Sequence, residues 1–344
     1  MRIISYPEAI RESIAHEMSV DPSVIVMGQG VDDPKAILGS LAGIKEEFGQ
    51  KRIFDVPLAE DGITGIAVGA AISGLKPIHV HIRNDFVLLA MNQLVNMAAK
   101  MRYMYGGQHD VPMVIRAIIG KSWGQGPQHS QSIYSMLMNV PGLLIVAPTS
   151  PHDVKGIMTS SIRSKDPVLF IEHRHLYYQK GEVPENSYTM PIGKGRILQE
   201  GNDVTIVGIS QMAIEALRAG RLLAQKSISA EVIDPISLNP LDMDLIAASV
   251  GKTGRLIVVD NGWMTCGVGA EIFMQLYERQ CATFKFARMG YAKTTCPTTP
   301  SLEDHFYPNA STIARKAYEF FDPQDAWQPV VSDRVEEVEF KGPF

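Results

Sequence analysis

The stretch PLAEDGITGIAVGAAISG, residues 57–74, carries the reading of the whole chain. A short strand signal, RIFD at residues 52–55, ends just before it. Glu60 then opens a segment in which Gly and Ala dominate residues 63–73. Residues this small let a helix pack closely against its neighbours. A carboxylate between a strand tip and such a helix can sit in a cleft with little water. It can equally be an ordinary acid at a helix N-terminus, stabilised by the helix dipole. The local sequence leaves both readings open.

Moving outward, residues 6–18 (YPEAIRESIAHEM) have apolar residues at helical spacing, with Pro7 suited to a first turn. Short apolar runs follow: VIVM at 24–27, RIFD at 52–55, PIHVHI at 77–82, MVIRA at 113–117, LLIVA at 143–147 and VLFI at 168–171. Helical segments separate most of them, and residues 86–105 (FVLLAMNQLVNMAAKMRYMY) read as one long helix. This alternation predicts an α/β fold with a mainly parallel sheet covered on both faces. The pattern pauses in the polar, Gly- and Pro-containing stretch at residues 176–195, which reads as a linker. A second α/β series occupies residues 196–325, and residues 326–344 read as a tail. The expectation is two domains, residues 1–175 and 196–325, each a mainly parallel sheet flanked by helices.

Composition narrows the function classes. The chain has 344 residues, enough for two cores, and is 45% hydrophobic with a net charge of −5. With no Lys/Arg-rich run, this balance argues against a nucleic-acid surface. The three cysteines, Cys266, Cys281 and Cys296, form neither a disulfide framework nor a CxxC pair, which suits a reducing compartment. The first residues do not read as a signal peptide, and no apolar run approaches a membrane span. A soluble, cytoplasmic protein is expected.

Several motifs invite chemistry and fail. GVGAE at 267–271 and GITGIAVGAA at 62–71 do not fit the dinucleotide fingerprint, a GxGxxG with a strand before it, a helix opening on it and an acidic residue about 20 positions on. No GxxxxGK[ST] phosphate loop occurs. His79/His81 and His173/His175 are each only half a metal site.

Taken together, a set of segments in a fixed order resembles a known family. They are PLAEDGITGIAVGAAISGLKPI, NDFVLLAMNQLVNMAAKMRYMYGGQ, GPQHSQS, the block from NVPGLLIVAP to FIEHRHLY, and TGRLIVV with GVGAEI. They resemble the beta subunit of the thiamine-diphosphate-dependent decarboxylating component of 2-oxoacid dehydrogenases and, more distantly, transketolases. The likeness runs over about residues 4–320.

The resemblance implies a transketolase-like pyrimidine-binding domain followed by a transketolase C-terminal-like domain. It implies that Glu60 hydrogen-bonds the pyrimidine nitrogen of thiamine diphosphate and drives the tautomer shift that activates the cofactor. Phe86 matches the aromatic residue that stacks on the pyrimidine, and Ile82 a residue lining its pocket. His129, in GPQHSQS after the Gly-rich loop KSWGQG, matches the active-site histidine, with Gln128 and Ser130 shaping the same wall. A potassium ion is implied near Met113, Ser161, Ile162, Ser164 and Asp166, held mostly by backbone carbonyls. No GDG occurs in the chain, so the diphosphate and its magnesium are assigned to an alpha-type partner in an alpha2beta2 heterotetramer, with a second copy of this chain.

Departures from the family pattern bear on the substrate and the acceptor. Asp260-Asn261 stands where many relatives have His-Glu, and His79, His81 and Arg83 add cationic character where relatives carry an acid. A lipoyl-bearing acyltransferase is the acceptor the resemblance implies. A split transketolase-like or carboligating enzyme and a non-catalytic structural subunit are the competing readings; Glu60 and His129 speak against the last.

Overall fold

The computed structural model describes residues 1–33, 35, 37–120, 124–281 and 283–330. The chain divides into two compact units. Unit 1 contains residues 1–119 and 136–192, and unit 2 contains residues 120–135 and everything from Gly193 on.

Unit 1 begins with β1 (Arg2–Ser5) and α1 (Tyr6–Val20). The backbone and hydroxyl of Ser5 both donate to Glu8, at 2.7 and 2.6 Å, closing the first turn of α1 as a capping box. Next come β2 (Val24–Gly28), α2 (Ile44–Phe48), β3 (Ile53–Asp55), α3 (Glu60–Ile72) and β4 (Lys76–His81). Beyond a helical stretch lie α4 (Ala99–Met104), β5 (Val114–Ile119), α5 (Tyr134–Leu137, whose first two residues belong to unit 2), β6 (Leu144–Val146), α6 (Pro151–Ile162), β7 (Val168–His173) and β8 (Lys180–Val183). Strands β2, β5 and β7 are buried at every position, as their near-continuous apolar runs predict for a sheet covered on both faces. The parallel strands of unit 1 run in the order β6-β7-β5-β4-β2-β3. The stretch read as a linker contains β8, which pairs antiparallel with β1.

The expected long helix at residues 86–105 is helical but not uniform. Asn84–Ala90 is 3₁₀, Gln93–Ala98 is a π-turn, and only α4 is α-helical. The side chain of Gln93 accounts for part of this. It donates to Asp61 at 3.1 Å and lies against Gly65, which draws the π-turn onto α3. Unpaired apolar periodicity cannot distinguish such windings, and π-turns recur at functional sites.

Unit 2 contains β9 (Arg196–Gln199), β10 (Val204–Gly208), α7 (Met212–Ala224), β11 (Ala230–Asp234), β12 (Ser237–Asn239) and α8 (Met243–Thr253). After these come β13 (Arg255–Trp263), α9 (Val268–Glu278), β14 (Lys285–Tyr291), α10 (Pro300–Glu303) and α11 (Ala310–Tyr318). Its sheet runs β14-β13-β10-β11-β9, parallel except for β9 at the edge. Helices α7 and α11 bury Ala216, Leu223, Ile313 and Ala317 against it. Trp327, from the stretch read as a tail, packs on the same core, whereas residues 331–344 lie outside the described residues.

Candidate functional site

In unit 1 the C-terminal ends of β2, β3 and β4 converge, the edge at which parallel sheets bind ligands. Glu60 is the first residue of α3 and is half-buried. Its Oε1 accepts a hydrogen bond from Gln29 Nε2 at 3.2 Å. Gln29 follows directly on β2, so a strand end and a helix start are joined through one carboxylate. Two glycines shape the adjoining backbone. A side chain at Gly28, where φ is +150°, would collide with the backbone of Val80. At Gly30, with φ of +70°, a Cβ would lie 3.3 Å from Ile37 and 3.8 Å from Ile82. Glu60, Gln29, Gly30 and Ile82 therefore belong to one cluster.

Phe86 sits half-buried in the 3₁₀ turn, which packs against α3; its backbone N–H donates to the Arg83 carbonyl at 3.3 Å. Behind this edge His79 is buried. Its Nδ1 faces the Met27 carbonyl at 3.4 Å and its Nε2 faces the Thr64 hydroxyl at 3.1 Å. A carbonyl can only accept, so Nδ1 carries the proton and Nε2 accepts from Thr64. Burial pushes His79 down to about 4, against the pull of the Met27 carbonyl and the Glu60 charge. The ring is neutral at pH 7, a polar strut rather than a base. His81 packs edge-on to it with ring centroids 4.4 Å apart, and burial, with His79 beside it, holds it well below its ordinary value too.

His129 belongs to unit 2 and is half-buried. Residues 121–123 of the preceding KSWGQG loop lie outside the described residues. The segment bearing His129 is held to its own unit downstream. Ser132 Oγ and Tyr291 OH are 3.0 Å apart, and the Tyr134 hydroxyl donates to Asp260. Asp260 also accepts from the Val268 amide at 3.0 Å, at the N-terminus of α9. Burial raises the Asp260 carboxyl to about 6, while its hydrogen bonds from Tyr134, Val268 and Asn261 oppose the rise. Neither Gln29 nor the Tyr134–Asp260 anchor was among the expected site residues. The polar Gln between two glycines at the end of VIVMG was the available signal for the first; nothing local signals the second.

The residues implied for potassium are engaged otherwise. Arg102 Nη1 donates to both carboxylate oxygens of Asp166 at 2.9 Å. The carbonyl of Met113 accepts from Val168 N at 2.9 Å and that of Ser161 from Ser164 N at 3.2 Å; the Ser164 hydroxyl donates to the Asp166 carbonyl at 2.9 Å. The Asp166 carboxylate is thus paired with a guanidinium in this structure.

Comparison with known proteins agrees with this layout. Residues 2–180 match the transketolase pyrimidine-binding domain, and residues 193–313 match the transketolase C-terminal domain. The chain belongs to the transketolase-like beta-subunit family of thiamine-diphosphate enzymes. Within this family, the beta subunit of acetoin:2,6-dichlorophenolindophenol oxidoreductase from Cupriavidus necator is 39% identical, over 92% of this chain and 97% of that one. The mitochondrial pyruvate dehydrogenase E1 component subunit beta-1 of Oryza sativa subsp. japonica is also 39% identical, over 90% of this chain and 84% of its own. Among solved structures, a split-gene transketolase described as an inactive beta4 tetramer has a TM-score of 0.75 at 20% identity and covers 92% of this chain and 98% of that one, a likeness of fold. Among the described residues no helix is long and apolar enough to cross a membrane.

Proposed function

We propose that this chain is the beta-type subunit of a two-chain enzyme that decarboxylates a 2-oxo acid and passes the acyl group to a lipoyl acceptor. The observation that carries the reading is Glu60, a half-buried carboxylate at the C-terminal edge of the sheet, whose one hydrogen bond among the described residues comes from Gln29. Thiamine diphosphate, when bound, supplies a carbon nucleophile and an electron sink. Glu60 holds a proton at the pyrimidine ring nitrogen, and Gln29 fixes the carboxylate's orientation. Ile82 and Phe86 cover the ring and exclude water, which strengthens the Glu60 interaction. His129 donates to the oxygen of the substrate that gains charge. The GDG magnesium motif is missing from the sequence, so the diphosphate end falls to an alpha-type partner.

Exposed apolar side chains support such a partner: Ile66 on α3, Leu89 on the adjoining 3₁₀ turn, and Tyr103 and Met104 on α4. Tyr277 and Met274 on α9 offer a separate face to a second copy of this chain. The cytoplasm suits three free cysteines, one of them exposed. A sugar acceptor has less support, because the likeness to the split transketolase extends to fold alone.

The test assembles this chain with an alpha-type partner and measures turnover and cofactor binding. Glu60→Gln should bind thiamine diphosphate within about tenfold of wild type and lose roughly 10²–10⁴ in rate. Near-normal turnover in that variant would remove the mechanism. Tight stoichiometric cofactor binding by the isolated chain, shown pure by mass spectrometry, would remove the shared site.

A further inference from the structure

A strained segment of unit 1 stands beside the Glu60 cluster and takes no part in the mechanism above. Ile37 and Leu38 have φ of +48° and +56°, in the left-handed region. No other two adjacent non-glycine residues among the described ones do so. The conformation presses Cβ toward the following carbonyl, and a β-branched residue such as Ile37 suits it least. Ile37 is 4% exposed, so burial offsets part of its strain; Leu38 is 38% exposed, and little contact offsets its own. Strain of this kind persists only where the surrounding structure over-determines it.

A chain of hydrogen bonds supplies that constraint. The Ile37 carbonyl accepts from the Ser40 amide at 3.2 Å and from the Ser40 hydroxyl at 2.9 Å. Ser40 is wholly buried, and its Oγ accepts from Arg116 Nη2 at 2.8 Å. Arg116, on β5, is in turn fixed to Glu172, on β7, at 2.6 and 2.8 Å. A hydroxyl that donates to Ile37 keeps its lone pairs for the guanidinium, so the two bonds reinforce each other. One side chain thus ties the strained turn to the sheet.

The turn also delivers a side chain to the site. A Cβ at Gly30 would lie 3.3 Å from Ile37 Cδ1 and 3.8 Å from Ile82 Cδ1, so both side chains cover the Gly30 backbone. Gly30 directly follows Gln29, whose amide donates to Glu60. We propose that Ser40 is a positioning residue: held by Arg116, it locks the strained turn that seats Ile37 over Gly30, and so keeps the apolar wall beside Gln29 and Glu60 in place for the cofactor. This rests on the thiamine-enzyme reading given above. Ser40 acts through Ile37, and the wall excludes water from the Glu60 carboxylate.

The experiment uses the enzyme assembled with its alpha-type partner. Thiamine diphosphate affinity is read by calorimetry in wild type, in Ser40→Ala, and in Ser40→Ala combined with Leu38→Gly or with Leu38→Ala. Amide exchange of residues 37–42 is read in the cofactor-free forms. Ser40→Ala should speed that exchange and weaken cofactor binding by about tenfold, because the binding-competent turn becomes a minor part of the population. Glycine enters the left-handed region freely, so Leu38→Gly should restore part of the affinity. Leu38→Ala keeps the Cβ and should restore none. A merely structural serine would not distinguish the two. Three results overturn the proposal: unchanged affinity in Ser40→Ala, a glycine double variant no tighter than the single, or an alanine double variant as tight as the glycine one. Should Ser40→Ala fail to assemble, Ile37→Ala keeps the hydroxyl and removes the wall. It should weaken binding by about tenfold, and unchanged affinity there also overturns the proposal. Failure of the thiamine reading looks different: wild type would bind no thiamine diphosphate. The exchange arm would still report on the turn, and unchanged exchange in Ser40→Ala would remove the lock in either case.

Discussion

Replacing Arg116 by Met should unfold unit 1 at a markedly lower temperature. Arg116 and Glu172 are both wholly buried on adjacent strands, β5 and β7. Arg116 donates to Glu172 at 2.6 and 2.8 Å and to the Ser40 hydroxyl at 2.8 Å, and Tyr177 donates to Glu172 at 2.5 Å. Burial alone would lower the guanidinium; the charge and hydrogen bonds of Glu172 instead hold it above its ordinary value. Without Arg116 the Glu172 carboxylate stays buried with Tyr177 as its remaining donor. Breaking one side of such a pair costs roughly 3–5 kcal/mol. For a unit of this size each kcal/mol is worth about 2–4 °C, so the melting temperature should fall by about 6–20 °C. Circular dichroism on thermal and urea unfolding reads the loss. A double variant, Arg116→Met with Glu172→Leu, removes both charges and should recover most of it. A single-variant loss below about 1 kcal/mol, or a double variant no better than the single, would refute the argument that an orphaned charge sets the cost.

Three further outcomes follow from the site. Phe86→Ala should weaken thiamine diphosphate binding by about 1–3 kcal/mol in the assembled enzyme, read by calorimetry; an unchanged affinity would take Phe86 out of the cofactor pocket. His129→Ala should lower the rate after cofactor binding and leave cofactor affinity nearly unchanged, so lost affinity with intact single-turnover chemistry would make it structural. Asp260 holds its proton more tightly folded than unfolded, with a value of about 6 against 3.8. Its stabilising contribution is thus present below about pH 4 and lost as pH rises through about 6, on the order of 3 kcal/mol in all. The stability difference between wild type and Asp260→Asn should fall across that window; a flat difference from pH 4 to 7 would contradict it.

The sheet of unit 1 was legible because buried parallel strands announce themselves as unbroken apolar runs, as VIVM and VLFI do. The place of Glu60, between a strand tip and a helix of small residues, was legible too. The winding of residues 84–104 was not, because Gln93 binds Asp61 across a gap of 32 residues that no local period encodes. The assignment of residues 120–135 to unit 2 was equally hidden. Its cause lies in Tyr134–Asp260 and Ser132–Tyr291, pairings 126 and 159 residues long. The Arg102–Asp166 pair was hidden in the same way, since 64 residues separate its members.

That long-range anchoring has a consequence during synthesis. Residues 124–135 leave the ribosome flanked on both sides by chain destined for unit 1, while their own partners are still untranslated. At about 5–20 residues per second, roughly 8–30 s pass between the emergence of Ser132 and that of Tyr291. Until Asp260 emerges, the loop that bears His129 lacks both of these anchors. A nascent chain stalled before residue 260 would carry a formed Glu60 cluster and an undocked His129 loop, the stage at which a chaperone or a protease has most to grip.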